Sequence, residues 1–151
     1  MRKLLYAMHF KGRISPAVAD DKLLRATGIA TSCTVNTSIG PSGVETHLKA
    51  SDGGLAFLES ALRLTGPGSF QEDGTISFGE DNRNVLRFCT IGEGHFTRSP
   101  EMGTMAGSAS WEVEGGEGQF AEARGFITSA FTLSTSGELS DFHSGVIFLR
   151  G

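Results

Sequence analysis

The sequence predicts an all-β fold, an eight-stranded antiparallel barrel, on three observations. Apolar and polar residues alternate with a period of two from Ile29 to the end of the chain. Turn chemistry recurs at short intervals, as at Gly40-Pro41-Ser42-Gly43, Gly66-Pro67-Gly68 and Ser136-Gly137. The composition agrees: 21 Gly stand against 4 Pro, and 11 Phe against one Tyr and one Trp, which suits short strands around a dry interior. Closing such a sheet removes its edges, which favours a barrel over an open sheet.

Each element follows from its own residues. Residues 3–12 alternate and read as the first strand. Ser15-Pro16 places an N-cap residue before a proline at the first helical position, and Leu23 and Leu24 supply an apolar face. One short helical segment near residues 15–27 follows, a flap that seals a barrel mouth with Val18, Leu23 or Leu24. Residues 29–39 form a strand with Ile29, Thr31, Cys33 and Val35 on one face. Val44, Thr46 and Leu48 alternate with Glu45, His47 and Lys49, giving the next strand a dry face and a wet one. Ser51-Asp52-Gly53-Gly54 reads as a turn. Strands are then predicted at 55–65, 69–79, 85–96, 103–114, 124–134 and 138–149. Ala56, Leu58, Ser60, Leu62 and Leu64 make the more apolar face of the first of these, while Phe70, Glu72, Ile76 and Phe78 are in phase on the second. No linker or repeat interrupts the chain, so residues 1–151 form a single β-barrel domain.

The totals exclude several functions. A net charge of −4 argues against nucleic-acid binding, which needs a basic face. No apolar run reaches membrane-spanning length, and Met1–Arg13 lacks the pattern of a signal peptide, so a cytoplasmic location without membrane contact is expected. Cys33 and Cys89 read as buried, reduced thiols. His9, His47, His95 and His143 show none of the ligand spacings of a metal site, and neither metal nor cofactor is expected. Gly116-Glu117-Gly118-Gln119-Phe120-Ala121 matches a dinucleotide fingerprint in letters, but the segment beyond it reads as a strand rather than the required helix.

The same stretch has another meaning. From Trp111 through Gly115-Gly116-Glu117-Gly118-Gln119-Phe120 to Ala123-Arg124-Gly125, the chain resembles the strand-to-strand connection of the allene oxide cyclase and dirigent group of calycin-type barrels, and of small bacterial barrels in that group. Locally, the glycines permit a tight connection and Phe120 plugs the barrel end. The resemblance covers residues 103–149. It implies an eight-stranded barrel around an apolar cavity, in a dimer or trimer, and a cyclase that shapes a reactive intermediate more than it attacks one.

Candidate site residues come from the strand faces. Arg87, Glu93 and His95 share a face of residues 85–96, and His143 shares one with Asp141, Gly145 and Ile147. In a closed barrel these faces converge on one interior pocket, with Trp111 or Phe57 as its apolar wall. Glu59 and Arg63 pose the same choice between inside and outside, on a strand whose apolar character on both faces suits either a ligand cavity or an oligomer contact. The candidate acids and bases are therefore His95, His143, Glu93 and Glu59, and the candidate ligand contacts Arg87, Trp111, Phe57 and Arg63. Asp141-Phe142-His143 does not read as part of a hydrolase triad, because residues two apart on a strand are poorly placed to pair and no Gly-x-Ser-x-Gly elbow occurs. The expected function is that of a small-molecule isomerase, cyclase or lyase acting on a hydrophobic substrate in the barrel cavity. The alternative is a non-catalytic binding barrel. In both, the partner is a small apolar molecule and the chain is a homo-oligomer.

Overall fold

A computed structural model of the chain describes residues 1–17 and 22–151. The strands are β1 (Arg2–Pro16), β2 (Leu23–Gly40), β3 (Gly43–Gly66), β4 (Ser69–Phe78), β5 (Asn84–Thr90), β6 (Gly94–Arg98), β7 (Thr104–Glu117), β8 (Arg124–Ser134) and β9 (Glu138–Leu149). Strand accounts for 79% of the described residues. Every pairing is antiparallel, and the order β1-β2-β3-β4-β5-β7-β8-β9 returns to β1, which makes a ring of eight. The short β6 shares the place of β5 between β4 and β7. The predicted barrel is therefore the observed fold.

Alternation decides what fills it. Tyr6 and Phe10 of β1, Leu58 and Leu62 of β3, Trp111 and Val113 of β7, and Ile147 and Leu149 of β9 all point inward and are buried. Large residues meet small ones across the interior. Ala26, Gly28 and Ala30 line β2, and a side-chain carbon at Gly28 would come within 3.4 Å of Phe10 Cβ. Trp111 stacks on Phe88 with ring centroids 3.9 Å apart. This interdigitation fills the centre of the barrel with side chains rather than leaving it hollow.

The predicted Gly115–Gly125 connection performs the plugging role assigned to it. A 3₁₀ turn at Gly118–Phe120 carries Phe120 under the barrel, where it is buried and lies 5.1 Å from the Phe78 ring. Gly118 has φ +62°, and a Cβ there would sit 2.2 Å from the Arg83 carbonyl oxygen, so only glycine fits.

Four local expectations are corrected. The helical segment is absent from the described residues: Ser15 and Pro16 end β1, and Leu23 to Gly28 begin β2, paired in register from Pro16↔Leu24 to Lys11↔Ile29. The sheet ladder outweighs the capping signal there. Val18, with Asp20 and Asp21, lies outside the described residues, while Leu24 faces the barrel mouth from a strand and packs against the core. Ser51–Gly54 is not a turn, because β3 runs through it, with Gly53 at φ +152° opposite a bulge between Thr31 and Cys33. The strand predicted at 85–96 breaks at Ile91-Gly92-Glu93 into β5 and β6. Finally, Cys33 and Cys89 are free, as expected, but half-buried rather than in the core.

Phe120 closes one end with a single side chain. Phe120→Ala is expected to cost about 3–5 kcal/mol in urea unfolding, and a loss below about 1 kcal/mol would show that this end is sealed by other groups.

Candidate functional site

The interior is apolar except at one level, where alternation on five strands turns polar side chains inward. On β9 the inward residues are Leu139, Asp141, His143, Gly145, Ile147 and Leu149. Asp141 and His143 thus lie one above the other, and despite the expectation they pair: His143 Nε2 is 2.9 Å from Asp141 Oδ2. From β8, the Ser129 hydroxyl donates to Asp141 Oδ1 at 2.6 Å. From β1, Tyr6 reaches His143 Nδ1 at 3.1 Å. An imidazole carrying its proton on Nε2 satisfies every member: Tyr6 donates to Nδ1, and Nε2 donates to Asp141. Burial, and behind it the charge of Asp141, holds the Tyr6 phenol well above its ordinary pKa and keeps it a donor.

The ring of His143 is fixed as tightly as its nitrogens. It packs 4.6 Å from the Phe10 ring and edge-on to Trp111 at 4.8 Å. With only 2% of its surface exposed, it has no alternative orientation in water. Both nitrogens are taken by Tyr6 and Asp141, so His143 cannot activate Ser129, and Asp141 rather than histidine sits at the centre of the chain. The group is not a hydrolase triad.

Across the barrel stands a second carboxyl. Strands β4 and β9 are diametrically opposite in the ring, and Glu72 on β4 accepts a 2.5 Å hydrogen bond from the Ser60 hydroxyl of β3. Gly74 makes that approach possible, since a side chain there would collide with the Glu59 carbonyl oxygen at 2.4 Å and with Ser60 Cβ at 2.5 Å. Burial raises the Glu72 pKa to about 8, against the pull of the Ser60 hydrogen bond toward the ionised form. Glu72 is thus a neutral acid near pH 7. The Trp111 indole stands close enough to oppose part of that rise, yet its buried N–H meets no acceptor at hydrogen-bonding distance.

Glu72, Asp141 and Ser129 line a common void of about 10 Å³, walled by apolar side chains that include Ile14, Leu62 and Phe131. That is about the least space that holds one water molecule. Ile14 and Phe131 are half-buried beside it, and Leu24, Leu64 and Phe96 are half-buried against the core. The mouth therefore has an apolar rim over a polar floor, whereas the opposite end is closed by Phe120.

Of the residues singled out from sequence, the structure brings His143 and Trp111 together inside. The others face outward, which corrects the expected convergence. Arg87, Glu93 and His95 are exposed: Leu86 and Phe88 take the inner face of β5, and the break at residues 91–93 separates that strand from His95. Glu59 is exposed and ion-paired with Arg25. Phe57 is half-buried on the outer face, and Arg63 borders an open external groove. Cys89 also faces outward; its hydrogen bond to Glu114, with burial second, pushes its thiol up to about 11. Sequence reasoning missed the roles of Tyr6, Ser60, Glu72, Ser129 and Asp141. A signal existed for Glu72, the one charged residue in phase with Phe70, Ile76 and Phe78.

No family model, no curated protein and no solved structure matches the chain. Among the described residues, no three His, Cys, Asp or Glu side chains converge as metal ligands, and no helix is long and apolar enough to cross a membrane.

The neutral Glu72 has a thermodynamic signature. Between its ordinary value of 4.5 and its folded value of about 8 it binds more proton when folded than when unfolded. Its contribution is therefore full below pH 4.5, falls as pH rises toward about 8, and is level beyond. Glu72→Gln, neutral throughout, removes that slope. The wild-type chain is expected to lose up to about 4 kcal/mol relative to Glu72→Gln between about pH 5 and about pH 8. Parallel stability curves for the two proteins, measured by denaturant titration, would show that Glu72 is not held neutral.

Proposed function

We propose that the protein is a proton-transfer enzyme, an isomerase or lyase that seats a small, largely apolar substrate with one polar group in the barrel mouth. The observation that carries this reading is the pair of buried carboxyls facing one void from opposite walls. One of them, Glu72, is held as a neutral acid. The other, Asp141, is held by Ser129 and by His143.

The chemistry follows from that asymmetry. The substrate replaces the water-sized void, its apolar part pressing Ile14 and Phe131 outward from the rim. Its carbonyl oxygen meets the Glu72 O–H, with the unpartnered Trp111 N–H as a second donor in reach of that end. Asp141 takes a proton from the carbon beside the carbonyl while Glu72 gives its own to the oxygen, which yields an enol. Where the substrate carries a β,γ double bond the product is a dienol, and return of the Asp141 proton to its γ-carbon, with the oxygen's proton going back to Glu72, moves the double bond into conjugation and restores both residues. His143 acts as a positioning residue, holding Asp141, and is itself held by Tyr6.

A binding barrel for a small apolar ligand is the second reading, favoured by the half-buried apolar rim. Proton exchange separates the two. In deuterated water, the protein is expected to exchange the α-protons of some members of a panel of small apolar ketones, followed by NMR. Glu72→Gln and Asp141→Asn should each slow this by about a hundredfold or more. Ketones that shift the resonances of Ile14 and Phe131 without exchanging would establish the binding barrel, and no response to any ketone would overturn both readings.

A further inference from the structure

Beyond the barrel, β2 and β3 continue as a two-stranded arm. Pairing of β1 with β2 stops at Lys11↔Ile29 and pairing of β3 with β4 stops at Ala56↔Phe78, while β2 and β3 remain in register from Cys33↔Ala50 to Gly40↔Gly43. Every residue from Thr34 to Gly54 is exposed. Cross-strand partners share a face, so Val35 with Leu48 and Ile39 with Val44 form one apolar side, and Asn36 with His47 and Ser38 with Glu45 form the polar side. Ile39 is 86% exposed and Val44 70%. A lone two-stranded ribbon is marginal in water, and one with a bare apolar face is a site for association.

The barrel wall carries a second bare apolar surface. Leu5 of β1, Phe126 of β8, and Phe142 and Phe148 of β9 point outward, with Val146 between Leu5 and Phe126 in register. His9 extends the patch by stacking on Phe142 at 4.1 Å. An open groove lined by His9, Ile29, Cys33 and Leu48 joins this wall to the apolar side of the arm.

We infer that two copies of this chain form a dimer in which the arm of each lies along the wall of the other. The lengths agree: Cys33 to Ile39 on the arm and Phe142 to Phe148 on the wall each span about 20 Å of extended strand. The chain thus carries both halves of a contact, and a twofold exchange covers all four surfaces at once. A stable interface covers ~800 Å² per partner, and the arm and wall offer it eight large apolar residues on each copy, each at least 39% exposed. The dimer does not rest on the proposed proton-transfer chemistry.

Sedimentation velocity on the full chain tests the exchange. The wild type is expected to be dimeric at micromolar concentration. The arm variant Ile39→Asp/Val44→Asp and the wall variant Phe126→Lys should each raise the dimer Kd by roughly thirtyfold or more, with unchanged circular dichroism. The decisive sample is a mixture of the two variants, which pairs one intact arm with one intact wall and should dimerise more tightly than either variant alone. A monomeric wild type overturns the proposal, and so does its binding as a monomer to phosphatidylcholine vesicles through the same residues. A mixture no tighter than its components means that arm packs on arm or wall on wall, and overturns the exchange.

Discussion

The ladder between the first and last strands is the constraint on which the rest of the molecule depends. Seven of the eight neighbour relations in the ring join strands that follow one another along the chain, with β5 and β6 sharing one place. Only β1 and β9 meet across its whole length, in register from Arg2↔Leu149 to Arg13↔Glu138. The entropy of closing such a loop grows only slowly with its length, so the distance itself is not the main cost. What the ladder decides is the state of everything else. Without it the sheet has two open edges, its inner face is wet, and Tyr6 lies 137 residues from the histidine it holds.

Closure also sets the rule for polar groups inside. A buried ionised group must be paired or give up its charge, and the interior uses both solutions. Asp141 collects Ser129 and His143, and His143 collects Tyr6, so the side-chain atoms of that chain find partners. Glu72 has the Ser60 hydroxyl alone and stays protonated near neutral pH. The two carboxyls thus meet the same dryness with different partners, Ser129 and His143 for Asp141 and Ser60 for Glu72. The ends of the barrel differ in the same spirit. Phe120 and Phe78 shut one with apolar rings, while the other ends in a polar floor under half-buried aliphatic and aromatic side chains.

Period-two alternation made the strands legible because each is wet or dry by turns, and the Gly115–Gly125 connection was legible because glycine at positive φ leaves a mark that few other signals imitate. Which face points inward is a different kind of fact. On β4 the sequence states it, since Phe70, Ile76 and Phe78 outweigh Glu72. On β5 it does not, because Val85 and Cys89 look as apolar as Leu86 and Phe88, and the same phase carries across the break to Gly94 and Phe96, which leaves His95 outside. The same ambiguity covers β3, where Phe57 is large, apolar and outside. Ser15-Pro16 misled for another reason. Capping chemistry is worth about 1 kcal/mol, less than a continuous ladder on both sides of β1. Ser51–Gly54 shows that a run of turn residues also serves to kink a long strand. Ser60, Ser129 and Tyr6 carry no distinguishing pattern, and only the ring order brings them to the carboxyls.

The outer wall and the inner site are two sides of the same strands. Leu5 precedes Tyr6, Phe142 stands between Asp141 and His143, and Phe126 lies three residues from Ser129. Alternation sends one member of each set to the surface and the other to the polar chain. The backbone of β1, β8 and β9 thus fixes the 2.6–3.1 Å contacts within and displays the apolar patch without. Proton transfer is sensitive to displacements well below the width of a strand, so in the proposed dimer the cover on that wall would restrain the strands that carry Asp141 and His143. The β2–β3 arm, by contrast, holds none of the site's residues beyond its barrel-bound ends. It is the part of β2 and β3 that the barrel does not use, which is why the proposed association falls to it.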